Sequence, residues 1–576
     1  MKLVTDKPIY ILGINHAYHE LSACIIKDGQ VLAAAEEERF TRIKRGKEAR
    51  VDNPDLIPVN SINFCIKYAG IEFSDVNFIA LSFFPKDRLR NIDVVEEKES
   101  GDWGTKEGEE MFFNKLNNFP NKLSEYYGVD ISKKIHWIPH HLAHAASSYL
   151  VSPFVDAAVL AIDGIGEFDS AFLGHGKDNK IEKVGEVEYP NSLGFIWEKI
   201  AKFLGFSEYD AGKVMGFTAY GDPQKYIDKF KTVVKIGEGD FTVDNNIFKF
   251  RSDDFGPLEK LFGLKKIEKW SDEYLKTDYV HIAASLQKIT EEIVIGLVEF
   301  LKKRTNSTNL CLSGGVALNC LMNSAVLETG LFDDVYIQPA SNDAGTALGA
   351  AIYVWANILG NKRVFIMNDA YLGPTFNEQE ILTAINSNKL IYKKSDDIAQ
   401  ETAHLLAEGK IVGWFQGAME FGPRALGNRS LLADPRTIEM KEKMNKIIKK
   451  RESFRPFAPS VLYTKAKDWF DISSTIIPIS TDFMLFSFKV KEDKIPLVPA
   501  IQQIDHTARI QTVREETNER YYNLISCFED MTGVPMLLNT SFNDNEPIVC
   551  TPEDAIRTFL NNNFDVLVLG DFIVKR

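Results

Sequence analysis

The sequence predicts a mixed α/β protein of two or more domains. Three observations carry this. Short apolar segments of strand character alternate with longer segments whose apolar residues recur at helical spacing. Glycine-rich turns follow several of the apolar segments directly. The chain of 576 residues also exceeds what one core ordinarily organises, at roughly 100–200 residues per domain.

The elements follow in order. Ile9–Ile14 is apolar, Ala23–Ile26 is apolar, Asp28-Gly29 signals a tight hairpin and Val31–Ala35 returns as a strand. Ala157–Ile162 is a short buried strand that ends at Asp163-Gly164-Ile165-Gly166. Ile282, Leu286, Ile289, Ile293, Leu297 and Leu301 mark one face of a long helix. A strand at Asn309–Leu312, a Gly314-Gly315 turn and a helix over Ala344–Ile358, rich in small residues, come next. The pattern breaks around 360–372, which sets expected domains of 1–362 and 363–576. The second begins a new α/β pattern: strand Ile411–Phe415, basic helix Met440–Lys450, strand Val534–Leu538. The dense basic stretch Lys441–Arg451 reads as a solvated helix face. No internal repeat and no low-complexity linker is visible.

Composition excludes several classes. Hydrophobic residues are 45% and charged residues 26% of the chain, an ordinary globular mixture. The net charge of −14 is the wrong sign for a protein that tracks a nucleic-acid backbone, so no nucleic-acid partner is expected. The longest apolar runs, near Phe154–Ile162 and Ile293–Leu301, are far short of a membrane span, so no membrane partner is expected. Cys24, Cys65, Cys311, Cys320, Cys527 and Cys550 form no C-x-x-C pair and sit largely in apolar runs; they read as reduced, buried thiols of a cytoplasmic protein. The opening MKLVTDKPIYILGINH runs straight into a strand pattern, and no signal peptide is expected.

Four constellations bear chemistry. In Pro139-His140-His141-Leu142-Ala143-His144, proline suits a helix start and His140 and His144 stack at i, i+4, the spacing two metal-bound imidazoles need. Ordinary buried histidines fit the same spacing, although His136, His140, His141 and His144 concentrate four of ten histidines. The turns at Gly13 and Asn15, at Asp163, Gly164 and Gly166, and at Gly314, Gly315 and Asn319 each follow a strand, the way backbone N–H groups are aimed at phosphate oxygens. Arg424 and Arg429 stand among glycine and proline in Gly422–Ser430, with Arg436, Lys449, Arg451 and Arg455 downstream. Such a set fits a small-anion clamp or, alternatively, a structural ion-pair network. Asn539, Thr540, Ser541 and Asn543 follow an apolar strand, where α/β sheets bind ligands; a capped turn fits them equally.

Taken together with AAAEEERFTRIKRGK (Ala33–Lys47), GKVMGFTAYGDP (Gly212–Pro223), NDAGTALGAA and FRPFAPSV, these residues resemble the O-carbamoyltransferase family often called the NodU/CmcH family. The resemblance runs from about Ile11 to the C-terminal end. It implies an N-terminal actin-like/sugar-kinase-type (ASKHA) duplicated α/β domain, TsaD-like, and a C-terminal YrdC-like α/β domain. It implies a two-step reaction: carbamoyl phosphate and ATP, with Mg(II), form carbamoyl-adenylate, and an acceptor hydroxyl then takes the carbamoyl group as AMP leaves. His140, His144 and Asp343 match the family's metal ligands, for which Fe(II) is expected and Mn(II) or Zn(II) fit. His19 matches the histidine that acts on the acceptor. Gly164, Gly314, Gly315, Lys213 and Gly216 match positions lining the adenylate. Lys449, Arg451, Arg455, Arg424 and Arg429 match the carbamoyl phosphate and ATP site, and Arg509, Thr512, Asn539, Thr540, Ser541 and Asn543 fall in motifs of the same domain.

The sequence departs from the family pattern at Glu20, where Asp is usual, at His506, where glycine is usual, and at Asp544-Asn545-Glu546. Other readings share parts of the pattern. A tRNA threonylcarbamoyl-type transferase would want a basic surface, and an ASKHA-fold small-molecule kinase would release ADP. A non-enzymatic nucleotide-binding scaffold would have no use for His140, His144, Asp343 and the arginines. The acceptor, a natural product or sugar with a free hydroxyl, is encoded by no motif, and neither is the oligomeric state.

Overall fold

The opening hairpin forms where its turn residues require it. β1 (Tyr10–Asn15) pairs antiparallel with β2 (Ser22–Lys27), and β2 with β3 (Gln30–Glu36). Asp28 and Gly29 between them take φ of 51° and 84°, the left-handed pair of a tight turn. β4 (Phe78–Leu81) runs parallel to β1, and β5 (Ile135–Trp137) parallel to β4, giving the order β3-β2-β1-β4-β5. The helix His140–Tyr149 follows β5. The computed structural model describes residues 7–90, 101–449, 452 and 454–576, the side chains of 447–449 excepted.

The same connectivity is then built again. β6 (Asp156–Ile162), β7 (Asp169–Lys177) and β8 (Lys180–Glu188) form an antiparallel meander. After a small ribbon of β9 (Val234–Ile236) and β10 (Phe241–Val243), β11 (Asn309–Ser313) joins parallel to β6 and β12 (Asp334–Ile337) parallel to β11. The order is β12-β11-β6-β7-β8, and the helix Ala344–Tyr353 follows β12 as His140–Tyr149 follows β5. This is the duplicated α/β arrangement that the resemblance implied, although no sequence repeat announces it. Beyond Tyr353 the helix widens into a π-helical turn over Val354–Ile358, so the single α-helix expected to Ile358 is shorter. The long helix Tyr279–Thr305 buries Ile282, Leu286, Ile289, Ile293, Leu297 and Leu301, the face its period predicted.

The third large sheet has nine strands, in the order β13-β21-β20-β14-β15-β19-β16-β18-β17. They are β13 (Tyr392–Lys394), β14 (Val412–Phe415), β15 (Arg429–Ala433), β16 (Ala458–Leu462), β17 (Phe486–Lys489), β18 (Thr507–Val513), β19 (Met536–Ser541), β20 (Val566–Leu569) and β21 (Phe572–Lys575). Helices Glu378–Ser387, Ile398–Ala407, Glu519–Thr532 and Pro552–Asn561 accompany it. The expected basic helix Met440–Lys450 is instead an α-helix over Ile438–Lys443 and a π-helical turn over Met444–Lys449. The Lys449 side chain and Arg451 lie outside the described residues.

The N-terminal sheets and the nine-stranded sheet are tied by hydrogen bonds and one apolar core. Asn323 and Ser324, on the helix Cys320–Glu328, bond the carbonyls of Leu485 and Ser487 at 2.9 and 2.8 Å. Arg39 donates to the Gly422 carbonyl at 2.8 Å, and Gly422 N–H to Glu36 at 3.1 Å. A single buried cluster runs from Ile11 and Leu160 to Phe454 and Ile510. The six cysteines are unbridged, all but Cys527 buried. Among the described residues no helix is long and apolar enough to cross a membrane.

Candidate active site

The two equivalent helices bring the metal-type side chains together. Glu167 caps His140–Tyr149, its carboxylate accepting from His140 N–H at 2.9 Å, so Pro139 stands just outside the first turn and the N-terminal amide is satisfied. His140 and His144 then face the same way, with Nε2 atoms 3.2 Å apart. Asp343, at the start of the other helix, brings Oδ1 to 3.5 Å from each Nε2. Asp163 completes the group from the C-terminal end of β6, its Oδ2 3.1 Å from His144 Nε2 and 3.9 Å from His140 Nε2. Gly164 N–H holds the other Asp163 oxygen at 2.7 Å. The sequence placed Asp163 in a nucleotide-type glycine turn; the fold sets it among the metal-type ligands, and one ligand atom from each of the four residues lies within 4.8 Å of the others. The signal was present in an acid ending an apolar strand before a glycine turn, but convergence with His140 depends on the tertiary fold.

The electrostatics fit a cation there. Burial opposes charge on His140, but Asp343 and Asp163 outweigh it and hold the imidazole well above its usual range. The same histidines hold Asp163 and Asp343 below the usual carboxylate range against their own burial. His141, which points away and packs on Gly166, is pushed down to about 3 by burial and by its histidine neighbours. Two buried imidazole nitrogens facing two carboxylates are the donor set of a divalent ion.

His19 sits on the turn after β1, opposite this cluster. Its Nδ1 is 3.6 Å from Asp343 Oδ2 and 3.9 Å from Glu20 Oε2. Asn15 fixes that turn by donating to the carbonyls of His19 and Glu20, each at 3.0 Å. Its amide is therefore spent on the turn, not on a nucleotide as the sequence suggested. Glu20 takes φ of 54° and its longer arm accepts Asp343 N–H at 3.0 Å, so this departure from the family pattern ties the two N-terminal sheets across the site. Burial and Asp343 push the Glu20 carboxyl up to about 8. Burial lowers His19, with Asp343 and Asp163 opposing, and keeps the imidazole neutral at neutral pH. A cavity of about 410 Å³ opens in front of His19, Asp163, Gly164 and Asp343.

A second cavity, of about 380 Å³, holds the cations. Arg424, Arg455 and Arg509 line it with Lys213, and Gly216, Asn539, Thr540, Ser541 and Asn543 complete its wall. Among the described residues, Arg424 and Arg509 each have a buried Nε without a hydrogen-bond partner. Burial, with Arg509 and then Arg455 nearby, pulls Arg424 down to about 9, still charged at neutral pH. Burial lowers Arg509 as well. Arg455 has Glu452 at 3.8 Å, but Arg424 and Arg509 have no acidic partner among the described residues, and crowded, desolvated guanidiniums of that kind are the signature of a site for an anion. Lys213 and Gly216, read with the adenylate of the N-terminal domain, share this cavity with arginines from beyond residue 363, and Lys213 pairs with Asp210 at 3.1 Å and Glu452 at 3.7 Å. Asp544 and Asn545 are also in its wall, while Glu546 pairs with Arg42 at 3.3 Å. His506 takes φ of 61°, the conformation that makes glycine usual there.

Several expected binding residues have other work. Arg429 is fully buried and donates to the carbonyls of Gln416 (2.5 Å), Asn428 (2.9 Å), Pro374 (3.1 Å) and Gly417 (3.3 Å), its guanidinium 3.7 Å from the Phe415 ring centroid. These bonds brace the surrounding loop, and Nε alone is left buried without a partner among the described residues. Thr512 is buried and gives its hydroxyl to Asp482. Asn319 caps the helix Cys320–Glu328, accepting Met322 N–H at 3.0 Å, and donates to Gln287. Gly13 packs under the helix Ala344–Tyr353, where a Cβ would meet Ala347 O at 1.9 Å. Gly314 packs against Ile162 and Gly315 against Asp163, which shapes the turn beside the acid.

Family models described as Carbamoyltransferase N-terminus and Carbamoyltransferase C-terminus match residues 10–352 and 403–576. The chain belongs to the carbamoyltransferase family and is a carbamoyltransferase enzyme. It is 36% identical to nodulation protein NolNO of Sinorhizobium fredii, over 98% of this chain and 80% of that protein. It is 40% identical to nodulation protein NolO of Bradyrhizobium diazoefficiens, over 76% of this chain and 78% of that protein. An uncharacterized protein of Synechocystis sp. is 37% identical over 98% of this chain and 97% of its own length.

Proposed function

We propose that this carbamoyltransferase works in two steps on two cavities. Among the arginines, with Mg(II), water releases inorganic phosphate from carbamoyl phosphate, and the carbamate oxygen then bonds to the α-phosphorus of ATP as pyrophosphate leaves, giving carbamoyl-adenylate. The hydroxyl of a natural product or sugar then takes the carbamoyl group beside His19, and AMP leaves. The observation that carries this reading is the pair of buried guanidiniums, Arg424 and Arg509, each with an unsatisfied Nε and neither paired with an acid among the described residues. Fixed cations in such a pocket stabilise charge as phosphate bonds are exchanged.

His140, His144, Asp163 and Asp343 would hold one divalent ion, and two imidazoles with two carboxylates suit Fe(II), with Mn(II) and Zn(II) as competitors. Bound there, the ion supplies Lewis-acid polarisation of a phosphate or carbonyl oxygen. His19 does the proton chemistry. As the acceptor oxygen bonds to the carbamoyl carbon and AMP takes the electron pair of the broken bond, the hydroxyl proton passes to the neutral imidazole. A positioned base of this kind contributes roughly 10²–10⁴-fold. Incubation of the chain with ATP, carbamoyl phosphate and a panel of hydroxylated sugars and alcohols, read by mass, tests the reading. A carbamoyl adduct with stoichiometric AMP is expected; ADP in place of AMP, or no adduct on any acceptor, overturns it.

A further inference from the structure

One side chain belongs to both cavities. Tyr209 lines the wall of the arginine cavity and the wall of the cavity before His19. Its ring meets the His19 imidazole in a T-shaped contact, centroids 5.7 Å apart, and the Arg45 guanidinium lies 3.8 Å from its centroid. The ring is thus held between the His19 imidazole and a cation, on the short 3₁₀ turn Glu208–Asp210.

The cavities differ in what they can bind. Cations around the His19 cavity are already engaged. Lys202 is 2.6 Å from Asp253, Arg88 and Arg251 share Glu109 at 2.7 and 3.0 Å, and Lys199 donates to main-chain carbonyls. The triphosphate of ATP and the carbamoyl phosphate therefore belong with Arg424 and Arg509, and an uncharged hydroxylated acceptor belongs on the His19 side, where Trp103, Phe195 and Phe250 offer aromatic surface. On the two-step reading the carbamoyl-adenylate made among the arginines has to meet that acceptor, and Tyr209 is the side chain that lines both cavities.

Water is the natural competitor at that crossing. Its oxygen can bond to the carbamoyl carbon while the bond to the AMP phosphate oxygen breaks with its electron pair. Carbamic acid and AMP then leave, and the carbamic acid falls to ammonia and carbon dioxide. Water and an alcohol have similar basicity, so little chemical selectivity separates the two nucleophiles, and exclusion has to supply it. We propose that Tyr209 is a positioning residue that screens the carbamoyl-adenylate from water in the acceptor cavity and so couples AMP release to transfer. This rests on the two-step reading above.

The test needs no acceptor. The metal-loaded chain is given ATP and carbamoyl phosphate alone, and AMP release is followed beside carbamoyl-phosphate-dependent exchange of pyrophosphate into ATP, which reports adenylate formation. Because Tyr209 also lines the arginine cavity, the two rates are read as a ratio: Y209A is expected to raise AMP release relative to exchange about tenfold over the unaltered protein, and Y209F, which keeps the ring, to keep the unaltered ratio. Y209L is expected to behave as Y209A does, and it decides the question where Y209A loses exchange through misfolding. An unmoved ratio of AMP release to exchange in Y209A and Y209L overturns the role of Tyr209 alone; absence of exchange in the unaltered protein overturns the two-step reading beneath it.

Discussion

Arg424 and Arg429 stand five residues apart in one loop and look alike in sequence, yet the fold gives them opposite duties. Arg424 lines the arginine cavity, whereas Arg429 gives its terminal nitrogens to main-chain carbonyls; the Nε of each is buried without a partner among the described residues. Residue type announces a cation, but only packing says whether its donors are already used. Arg424→Ala should lower carbamoyl-phosphate-dependent nucleotide turnover by ~10²-fold, the cost of one charge-stabilising group, while the thermal midpoint stays put. Arg429→Ala should leave several buried carbonyls without donors, at about 1–3 kcal/mol each, and lower the midpoint before any effect on turnover can be assigned. Paired melting and turnover measurements check this; equal loss of turnover at unchanged midpoint in both variants would return Arg429 to the anion site. His16 makes a second prediction at this scale. Burial pushes its imidazole down to about 3, and it is stacked on Phe119 with Nδ1 donating to Pro54 O at 2.7 Å. The unfolded chain protonates this histidine near 6.5. The unfolded state therefore binds more protons between those values. The stability from a neutral His16 is complete above pH 6.5 and lost as pH falls toward 3, at up to ~1.4 kcal/mol per unit. His16→Asn should flatten the fall in urea midpoint between pH 7 and pH 5; an identical slope in variant and parent would mean His16 takes a proton within the fold.

The helices His140–Tyr149 and Ala344–Tyr353 decide whether the site exists. Each is legible in sequence, the first from its histidine spacing and the second from its run of small residues. What the pattern does not reveal is that they pack on each other: a Cβ on Gly349 would stand 1.9 Å from Ala143 O. His140 and His144 hang from one helix and Asp343 from the start of the other, so the spacing of the helices sets the spacing of the ligands. Gly349→Val would force the backbones apart. Overpacking of this kind costs roughly 1–3 kcal/mol, and the movement it causes should be felt at ligand atoms now 3.5 Å apart. We expect a lower melting midpoint and a clear loss of bound divalent metal, measured by elemental analysis after loading and desalting. Full metal occupancy alongside the lowered midpoint would show that the ligand cluster tolerates the helix shift. Elements with a strong period, such as Tyr279–Thr305, are legible nearly to their ends, because burial of one face imposes that period. The basic stretch after Ile438 reads as one α-helix and is not, since a π-helical turn leaves no mark in residue periodicity.

At the scale of the molecule, the two N-terminal sheets share a connectivity without sharing residues. β1 and β6 are equivalent strands, and the turns after them carry His19 and Asp163; β5 and β12 are equivalent, and the helices after them carry the His140–His144 pair and Asp343. The candidate metal site thus lies where the two copies meet, fed by equivalent positions that have taken different side chains. Topology survives such divergence because it needs only apolar faces and turn positions. No residue repeat records it, and the sequence could suggest it only through a family resemblance. The nine-stranded sheet then closes the second cavity over this frame, through Arg424, Arg455 and Arg509 facing Lys213. Lys213 lies within the N-terminal family match and was expected to serve the adenylate there. Its place in the shared wall, beside Asp210 and Glu452, predicts a wider effect. Lys213→Met should slow carbamoyl-phosphate-dependent pyrophosphate exchange about tenfold, since removal of a cation that faces reacting phosphates acts on the first step whichever sheet supplies it. It should also weaken the hold on Glu452 and so on the loop bearing Arg455. An Asp210→Asn control, which removes an acid from the same wall, should leave Lys213 freer and not reproduce the loss. If Lys213→Met exchanges normally and fails only in carbamoyl transfer, the arginine cavity is complete without the N-terminal sheets, and the first step belongs to the nine-stranded sheet alone.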